Sequence, residues 1–154
     1  MSSESLKFIV DNLNSPPFGC NTSLIAFDNW PPNVLLQQLS DVISWITQTA
    51  NIDISKENPD ETALRILYNL KILRFKPPSD IEQLEEWRAG LVEGAKKSVY
   101  PILVYLFSNV DMLKQRAYLA KYLIQDEIPN NLMDSDVVQM RNELAQYMEK
   151  FKVG

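Results

Sequence analysis

The sequence predicts an all-α fold. Over most of the 154 residues, apolar side chains recur at intervals of three and four, which is the spacing of one helix face. Asn, Ser and Pro residues stand where these segments begin, as they do at helix N-termini. No segment of useful length alternates apolar and polar residues with the period of a strand. The chain is 45% hydrophobic and 23% charged, so it fits one globular domain with a tail.

The first two predicted helices are separated by a loop. A helix is predicted over residues 3–14, where one face carries Leu6, Ile9, Val10 and Leu13. Residues 18–32 are predicted to be a loop, because turn-forming residues are frequent there. The next helix is predicted to begin near Pro31 or Pro32, since a proline in the first turn loses no helical hydrogen bond. Its apolar face consists of Leu35, Leu39, Val42, Ile43 and Ile46.

A third helix is predicted to begin at Asn58-Pro59, with Asn58 as its N-cap. It must end by Lys76, because Pro77-Pro78 cannot continue a helix. The apolar face of this helix consists of Ala63, Ile66, Leu67, Leu70 and Leu73.

Three more helices are predicted in the middle of the chain. Ser79 and Glu82 match a capping box for a helix that runs to about Gly94. Ser98 is predicted to cap an apolar helix over residues 98–108, with Pro101 in its first turn. Another helix is predicted over residues 111–125.

The C-terminal part is predicted to be a loop over residues 126–133 and a helix from Ser135 to about Lys152. Apolar residues in this helix follow a two-repeat heptad pattern: Val137, Met140, Leu144, Tyr147 and Phe151. Two repeats are compatible both with a last helix packed on the domain and with the start of a coiled coil. The sequence therefore divides into a domain over residues 1–129 and a C-terminal segment over residues 130–154.

The residues of common active sites are missing. The chain has no histidine, which removes the usual general base and the commonest metal ligand. Cys20 lies in a loop without a sign of an activating base, so it is predicted to be a structural thiol. The four glycines form no phosphate-binding loop. We therefore expect no enzyme activity, no cofactor and no metal.

Membranes and nucleic acids are not expected as partners. No run of eighteen apolar residues is present, and the N-terminus lacks the basic start of a secretory signal. The acidic balance of the whole chain argues against nucleic-acid binding.

Positive charge is concentrated in residues 71–121. This stretch holds nine Lys/Arg against six Asp/Glu, a local charge of +3, although the formal net charge of the chain is −5. Such a concentration on a folded surface favours an acidic partner. The alternative is that these are scattered, solvated side chains.

Several segments carry a resemblance to a known family. LKFIVDNLN, LIAFDNWPP, LLQQLSDVISWI, LKILRFKP, WRAGLVEGAKKSVYPILVYLF and LKQRAYLAKYLIQDEIP resemble the N-terminal domains of the intraflagellar transport protein 81 family. The resemblance runs from about Leu6 to Pro129. Its most specific parts are the pattern GLV-x-G-x-K-x-x-x-YP, from Gly90 to Pro101, and the segment QRAYLA.

The resemblance implies a divergent calponin-homology fold in which the apolar helix over residues 98–108 is the central buried helix. It implies that the domain binds αβ-tubulin as ciliary cargo, and that it caps a coiled coil shared with intraflagellar transport protein 74. It also implies contacts with other intraflagellar transport complex B subunits. The implied location is the cilium or flagellum and the basal body, on the cytoplasmic side.

The resemblance also implies which cations face tubulin: Arg74, Lys76, Arg88, Lys114 and Arg116, with Lys96 as a second-rank candidate. Gln115 departs from the family pattern, which often has a basic residue there, so this part of the patch is expected to be weaker. Lys97 is an additional charge that could compensate.

Helix geometry predicts that these cations differ in their exposure to solvent. Lys114 and Lys121 fall opposite the apolar face of their helix and are expected to be exposed. Arg74 and Lys76 lie at a helix end and are expected to be exposed there. Arg116 and Arg88 lie at the border of apolar faces, so both an exposed and a partly buried position are open.

Two other functions stay open at this point. The domain could be a non-tubulin adaptor that docks another intraflagellar transport subunit through an apolar groove. A calponin-homology fold could also bind actin, but the resemblance is to the ciliary family.

Overall fold

A computed structural model describes residues 2–124, and in this range it consists of seven α-helices and a short 3₁₀ helix, without strands. The all-α prediction is therefore confirmed. The helices are α1 (Ser3–Asn14), α2 (Leu24–Asp28), α3 (Pro32–Thr47), the 3₁₀ helix (Ile54–Lys56), α4 (Pro59–Ile72), α5 (Ile81–Glu93), α6 (Lys96–Ser108) and α7 (Val110–Ile124).

The predicted start signals of α3 and α4 are confirmed. Pro31 is the N-cap of α3, and Pro32 is its first residue. The side chain of Asn58 accepts a hydrogen bond from the backbone N–H of Asp60, which caps α4 one residue before Pro59. Pro32 and Pro59 each occupy the first turn of a helix, where a backbone N–H has no hydrogen-bond partner within the helix. The N–H that proline lacks therefore costs no helical hydrogen bond.

Helix α6 lies at the centre of the core. It packs against α1, α3, α5 and α7. Ile102, Leu103 and Leu106 are fully buried in it, as the apolar sequence of this segment predicts. The predicted apolar face of α3 is also buried along its whole length. Burial of these faces supplies the main stabilising free energy of the fold.

The predicted loop over residues 18–32 contains a helix that the sequence did not indicate. Helix α2 has five residues, and the Ser23 side chain caps it by accepting from the backbone N–H of Ala26. Phe27 is fully buried, with its ring 5.3 Å from the Tyr100 ring and 4.9 Å from the Trp30 ring. A helix of this length is too short to show a period, and tertiary burial of Phe27 holds it.

The predicted caps of α5 and α6 are wrong. Asp80, rather than Ser79, caps α5 by accepting from the N–H of Gln83. Helix α6 begins at Lys96, so Pro101 lies in its second turn. Ser98 is buried inside α6, where its hydroxyl donates to the Trp87 carbonyl at 3.0 Å.

The early start of α6 follows from the end of α5. Gly94 has a φ of +75°, which ends α5 in the left-handed conformation and leaves Ala95 as the connection to α6. Helix α7 begins at Val110, one residue before the predicted position.

The predicted C-terminal helix, its heptad pattern and the boundary at residue 129 lie outside the described residues, so these stay predictions. Within residues 2–124, no helix has the length and apolar character needed to cross a membrane.

A partly buried ion pair fastens the segment before α4. The Arg65 guanidinium donates to both carboxylate oxygens of Glu57, at 2.8 and 3.1 Å, and Glu57 also accepts from the Thr62 hydroxyl. The hydrogen bonds from Arg65 are the main cause that lowers the pKa of Glu57. A lowered pKa in the folded state adds stability above the ordinary glutamate pKa of 4.5, and this stability is lost as the pH falls below it.

We expect Glu57→Gln to lower the free energy of unfolding by about 1–2 kcal/mol at pH 7, because a charged partner of Arg65 is lost. The loss should be smaller at pH 3.5, below the ordinary glutamate pKa of 4.5, because the stability that the lowered pKa of Glu57 supplies decreases there. Urea unfolding at both pH values measures this difference. Glu61→Gln, which changes an exposed carboxylate in the first turn of α4, is the control. An equal effect of Glu57→Gln at the two pH values would contradict the assignment.

Candidate functional site

An aromatic residue fixes the segment that carries Arg74 and Lys76. Phe75, which lies between them, stacks on Trp87 of α5 with ring centroids 5.8 Å apart. The edge of the Tyr105 ring of α6 meets Phe75 at 5.4 Å. Such pairs contribute stability beyond their buried area. The residues that follow α4 are therefore held against both α5 and α6.

Arg74 and Arg116 both act electrostatically on Tyr105. The Tyr105 hydroxyl donates to the Leu73 carbonyl at 2.7 Å. Burial raises the pKa of Tyr105, and the positive charges of Arg116 and Arg74 act in the opposite direction. Both arginines are therefore close enough to Tyr105 for their charges to act on it.

The expectation that Arg74 is exposed is wrong. Its side chain is half-buried, and its Nε and Nη2 atoms are shielded from solvent. The backbone of Arg74 has a φ of +59°, so the chain turns at this residue instead of continuing the direction of α4. Arg116 is also half-buried, which agrees with the partly buried position that its helix face left open.

Lys76 and Arg88 are exposed. Lys76 directly follows Phe75, and Arg88 directly follows Trp87, which stacks on Phe75. Lys76 and Arg88 are thus next in sequence to the two residues of the Phe75–Trp87 stack, while Arg74 and Arg116 act electrostatically on Tyr105. We call this set the basic cluster: Arg74, Lys76, Arg88 and Arg116.

Lys114 does not belong to this cluster. Its ammonium group lies over the Trp45 ring of α3, 4.2 Å from the centroid. The side chain is half-buried, so the expectation that it is exposed is wrong. A cation on an aromatic face is attracted by the ring quadrupole, and this contact holds Lys114 against α3. Residues two apart on a helix differ by about 200°, which separates Lys114 from Arg116.

Lys121 makes a second link between α7 and α3. It is exposed, as predicted, and its ammonium group donates to the Gln48 carbonyl at 3.2 Å. Gln48 is the C-cap of α3, where backbone carbonyls carry partial negative charge. The basic face of α7 that carries Lys114 and Lys121 thus helps to pack the domain.

Lys96 lies in an ion pair between α6 and α2. Its ammonium group is 3.4 Å from a carboxylate oxygen of Asp28, and both side chains are about half exposed. The same oxygen accepts a hydrogen bond from the Tyr100 hydroxyl at 3.0 Å. The structure therefore gives Lys96 a local acidic partner, which the charge pattern of the sequence did not indicate.

Two features of the described residues bear on chemical reactivity, namely the grouping of metal-ligating side chains and the state of the Cys20 thiol. No group of three or more acidic or cysteine side chains in residues 2–124 could hold a metal ion. Burial, and secondarily the negative charge of Asp41, raises the pKa of the Cys20 thiol. Its sulfur lies 3.4 Å from the Gln38 side-chain oxygen. A protonated thiol is a poor nucleophile, which supports a structural role for Cys20.

Sequence reasoning missed Phe75, Trp87 and Tyr105 as the residues that assemble the basic cluster. The one available signal was the aromatic residue between two cations in LRFKP. The partners of Phe75 are 12 and 30 positions away in the chain, so local patterns could not identify them.

Residues 4–127 match the family model of the intraflagellar transport 81 calponin homology domain. The intraflagellar transport protein 81 homolog of Rattus norvegicus is 43% identical over 151 residues, which cover 97% of this chain and 22% of the relative. The Homo sapiens homolog is 42% identical over the same length and coverage. Intraflagellar transport protein 81 of Chlamydomonas reinhardtii is 32% identical over 148 residues, which cover 95% of this chain and 21% of that protein.

The fold is also similar to a solved structure. A chain in the T. brucei IFT22/74/81 GTP-bound crystal structure matches with a TM-score of 0.70 and 28% identity. The match covers 98% of this chain and 34% of that chain. The present chain spans about a fifth of the length of the curated relatives that it matches. The family model and the identities to these relatives together show that the chain belongs to the intraflagellar transport 81 calponin homology domain family.

Proposed function

We propose that this domain binds αβ-tubulin through the basic cluster, as a cargo-binding module of the intraflagellar transport machinery. The observation that carries the proposal is that four cations from three elements either adjoin the Phe75–Trp87 stack in sequence or act electrostatically on Tyr105, in a chain whose net charge is −5. Tubulin is strongly acidic, so such a surface would accelerate encounter and favour binding. Membership of the family supports the same function.

The four cations are suited to different stages of tubulin binding. Lys76 and Arg88 are exposed, and within residues 2–124 they form no ion pair, so their charges act on an approaching partner. Arg74 and Arg116 are half-buried and held near Tyr105, so less side-chain freedom is lost on binding. Guanidinium groups pair with carboxylates through two parallel hydrogen bonds. We therefore assign steering to the exposed pair and a specific carboxylate contact to Arg116, since the Nε and Nη2 atoms of Arg74 are shielded from solvent.

Lys114 and Lys96 have a smaller role in this proposal. Lys114 is held over Trp45, and Lys96 is paired with Asp28. Binding of tubulin by either residue would weaken a contact inside the domain, which reduces the net gain.

Family membership supports a proposal for the wider partners and the location. The relatives are named as intraflagellar transport protein 81, and the similar solved structure is of IFT22/74/81. We propose intraflagellar transport protein 74, through a downstream coiled coil, and other complex B subunits as partners. The proposed location is the cilium or flagellum and the basal body, on the cytoplasmic side. In these assemblies the domain acts as a binding module, not as an enzyme.

Binding to fluorescently labelled αβ-tubulin tests the cluster. We expect the chain to bind at low salt and more weakly at physiological salt, because exposed charges are screened. Lys76→Glu/Arg88→Glu should weaken binding by about tenfold or more, since two attractive contacts become repulsive. Lys7→Glu/Lys56→Glu is the matched control, because it reverses two exposed cations outside the cluster. Circular dichroism establishes that both variants fold.

Equal weakening in the two double variants would show that net charge alone acts and that the basic cluster is not a site. No binding by the original chain at low salt would overturn the proposal. In that case the adaptor function, docking of another intraflagellar transport subunit through an apolar groove, would become the better explanation.

A further inference from the structure

A cleft of about 680 Å³ lies where the start of α3, the 3₁₀ helix, the start of α4 and the end of α5 meet. Apolar side chains of Leu36, Ile54 and Val92 line it. Val34, which is 41% exposed, also lines the cleft, together with Pro32. The cleft therefore offers apolar surface that the folded domain leaves accessible to a ligand.

Polar and backbone contacts hold the walls of the cleft. The Gln37 side chain donates to the Ile52 carbonyl at 2.9 Å and accepts from the Ile54 N–H at 3.0 Å, which fixes the 3₁₀ helix against α3. At the opposite wall, the backbone of Gly94 lies so close to Pro32 that a Cβ atom on Gly94 would be 2.5 Å from the Pro32 carbonyl oxygen. The cleft is thus formed before a ligand arrives, which lowers the entropy cost of binding.

Acidic groups surround this apolar surface. Asp53, Glu57 and Glu93 line the cleft. Arg65 neutralises Glu57 through their ion pair, whereas Asp53 and Glu93 are exposed. The hydroxyl and the backbone N–H of Ser55 lower the pKa of Asp53, so its carboxylate is ionised at neutral pH.

The surrounding chain strengthens this negative field. Asp60 and Glu61 directly follow Pro59, which also lines the cleft, and both are exposed. Between residues 53 and 61, four acidic residues stand against one basic residue, Lys56. The field at the cleft has the sign opposite to that of the basic cluster, so it would repel an acidic partner.

We propose that this cleft docks a short basic segment of a partner protein. A large apolar side chain of the segment sits against Val34, Ile54 and Val92, and flanking Lys or Arg side chains pair with Asp53 and Glu93. Charge complementarity selects this occupant, because acidic tubulin, nucleic acid and anionic lipid surfaces would all be repelled. The apolar surface requires an apolar anchor, which a simple cation does not have. This docking surface goes beyond the proposed tubulin site and does not depend on it.

Selection of random peptides displayed on phage, with the 154-residue chain as bait, tests the proposal. We expect the recovered peptides to carry Lys or Arg on both sides of a large apolar residue. A synthetic copy of the strongest peptide should bind Asp53→Asn/Glu93→Gln/Val34→Ser about tenfold more weakly, because two ion pairs and one apolar contact are lost. Asp11→Asn/Glu86→Gln removes two exposed carboxylates elsewhere and should leave the affinity within about twofold.

Chemical-shift changes in the ¹⁵N-labelled chain locate the peptide, and we expect them at Asp53, Ile54, Val92 and Glu93. The proposal is overturned if no peptide family is enriched, if the cleft variant binds the peptide as tightly as the original chain, or if the shifts map to the basic cluster. Sedimentation velocity addresses self-association. A dimer that the cleft substitutions abolish would show that a second copy, rather than a separate partner, occupies the cleft.

Discussion

Gly94→Ala is expected to lower the free energy of unfolding by about 3 kcal/mol or more, from two effects. Gly94 has a φ of +75°, and an L-residue pays about 1–2 kcal/mol in the left-handed conformation. The added methyl group would also lie 2.5 Å from the Pro32 carbonyl oxygen and 3.1 Å from the carbonyl carbon. Both atoms belong to the backbone, so a side-chain rotation cannot relieve the contact.

Gly19→Ala is the matched control for this prediction. Gly19 also has a positive φ, +53°, but a Cβ atom there would meet no atom within 4 Å. Its substitution should therefore lower the free energy of unfolding only by the cost of the left-handed backbone conformation, about 1–2 kcal/mol. Urea unfolding followed by circular dichroism measures both values. Equal losses in the two variants would show that the close approach of α5 to α3 is not a source of stability.

The helices could be predicted from the sequence because their signals are local. The apolar period of α3 and the Asn58-Pro59 start of α4 each lie within a few residues, and the structure confirms them. The predicted start of α6 was wrong because the contact that decides the role of Ser98 is not local. Ser98 has the residue type of an N-cap, but its hydroxyl is used by the Trp87 carbonyl, eleven positions earlier. Local propensity could not reveal that tertiary contact.

The candidate site was only partly predictable. The residue types in 71–121 gave the sign of the charge, and helix geometry left both positions of Arg116 open. The expected exposure of Arg74 failed because its backbone turns at a φ of +59°. The expected exposure of Lys114 was wrong because its ammonium group lies over the Trp45 ring, which belongs to another helix. Both errors come from contacts between distant elements, which decide whether a cation on a helix face is available to a partner.

Phe75→Leu is expected to weaken tubulin binding several-fold in a chain that still folds. Leucine fills most of the space but cannot stack on Trp87 or meet the Tyr105 edge, so the free energy of unfolding should fall by about 1–2 kcal/mol. Arg74 and Lys76 flank Phe75 and would lose their fixed placement. Binding would then have to order them, at about 0.5–1.5 kcal/mol for each side chain. Urea unfolding and tubulin titration at low salt give the two quantities.

Phe8→Leu is the control that separates the loss of stability in Phe75→Leu from its effect on the placement of Arg74 and Lys76. Phe8 is a partly buried aromatic residue on α1 that also packs against the core, so its substitution should cause a similar loss of stability. It lies on a helix that carries none of the basic cluster, so tubulin affinity should not change. If both variants bind tubulin as tightly as the original chain, the fixed placement of Arg74 and Lys76 has no role in affinity. If both weaken it equally, general loss of stability is the cause. Only selective weakening by Phe75→Leu makes the aromatic contacts part of the binding surface.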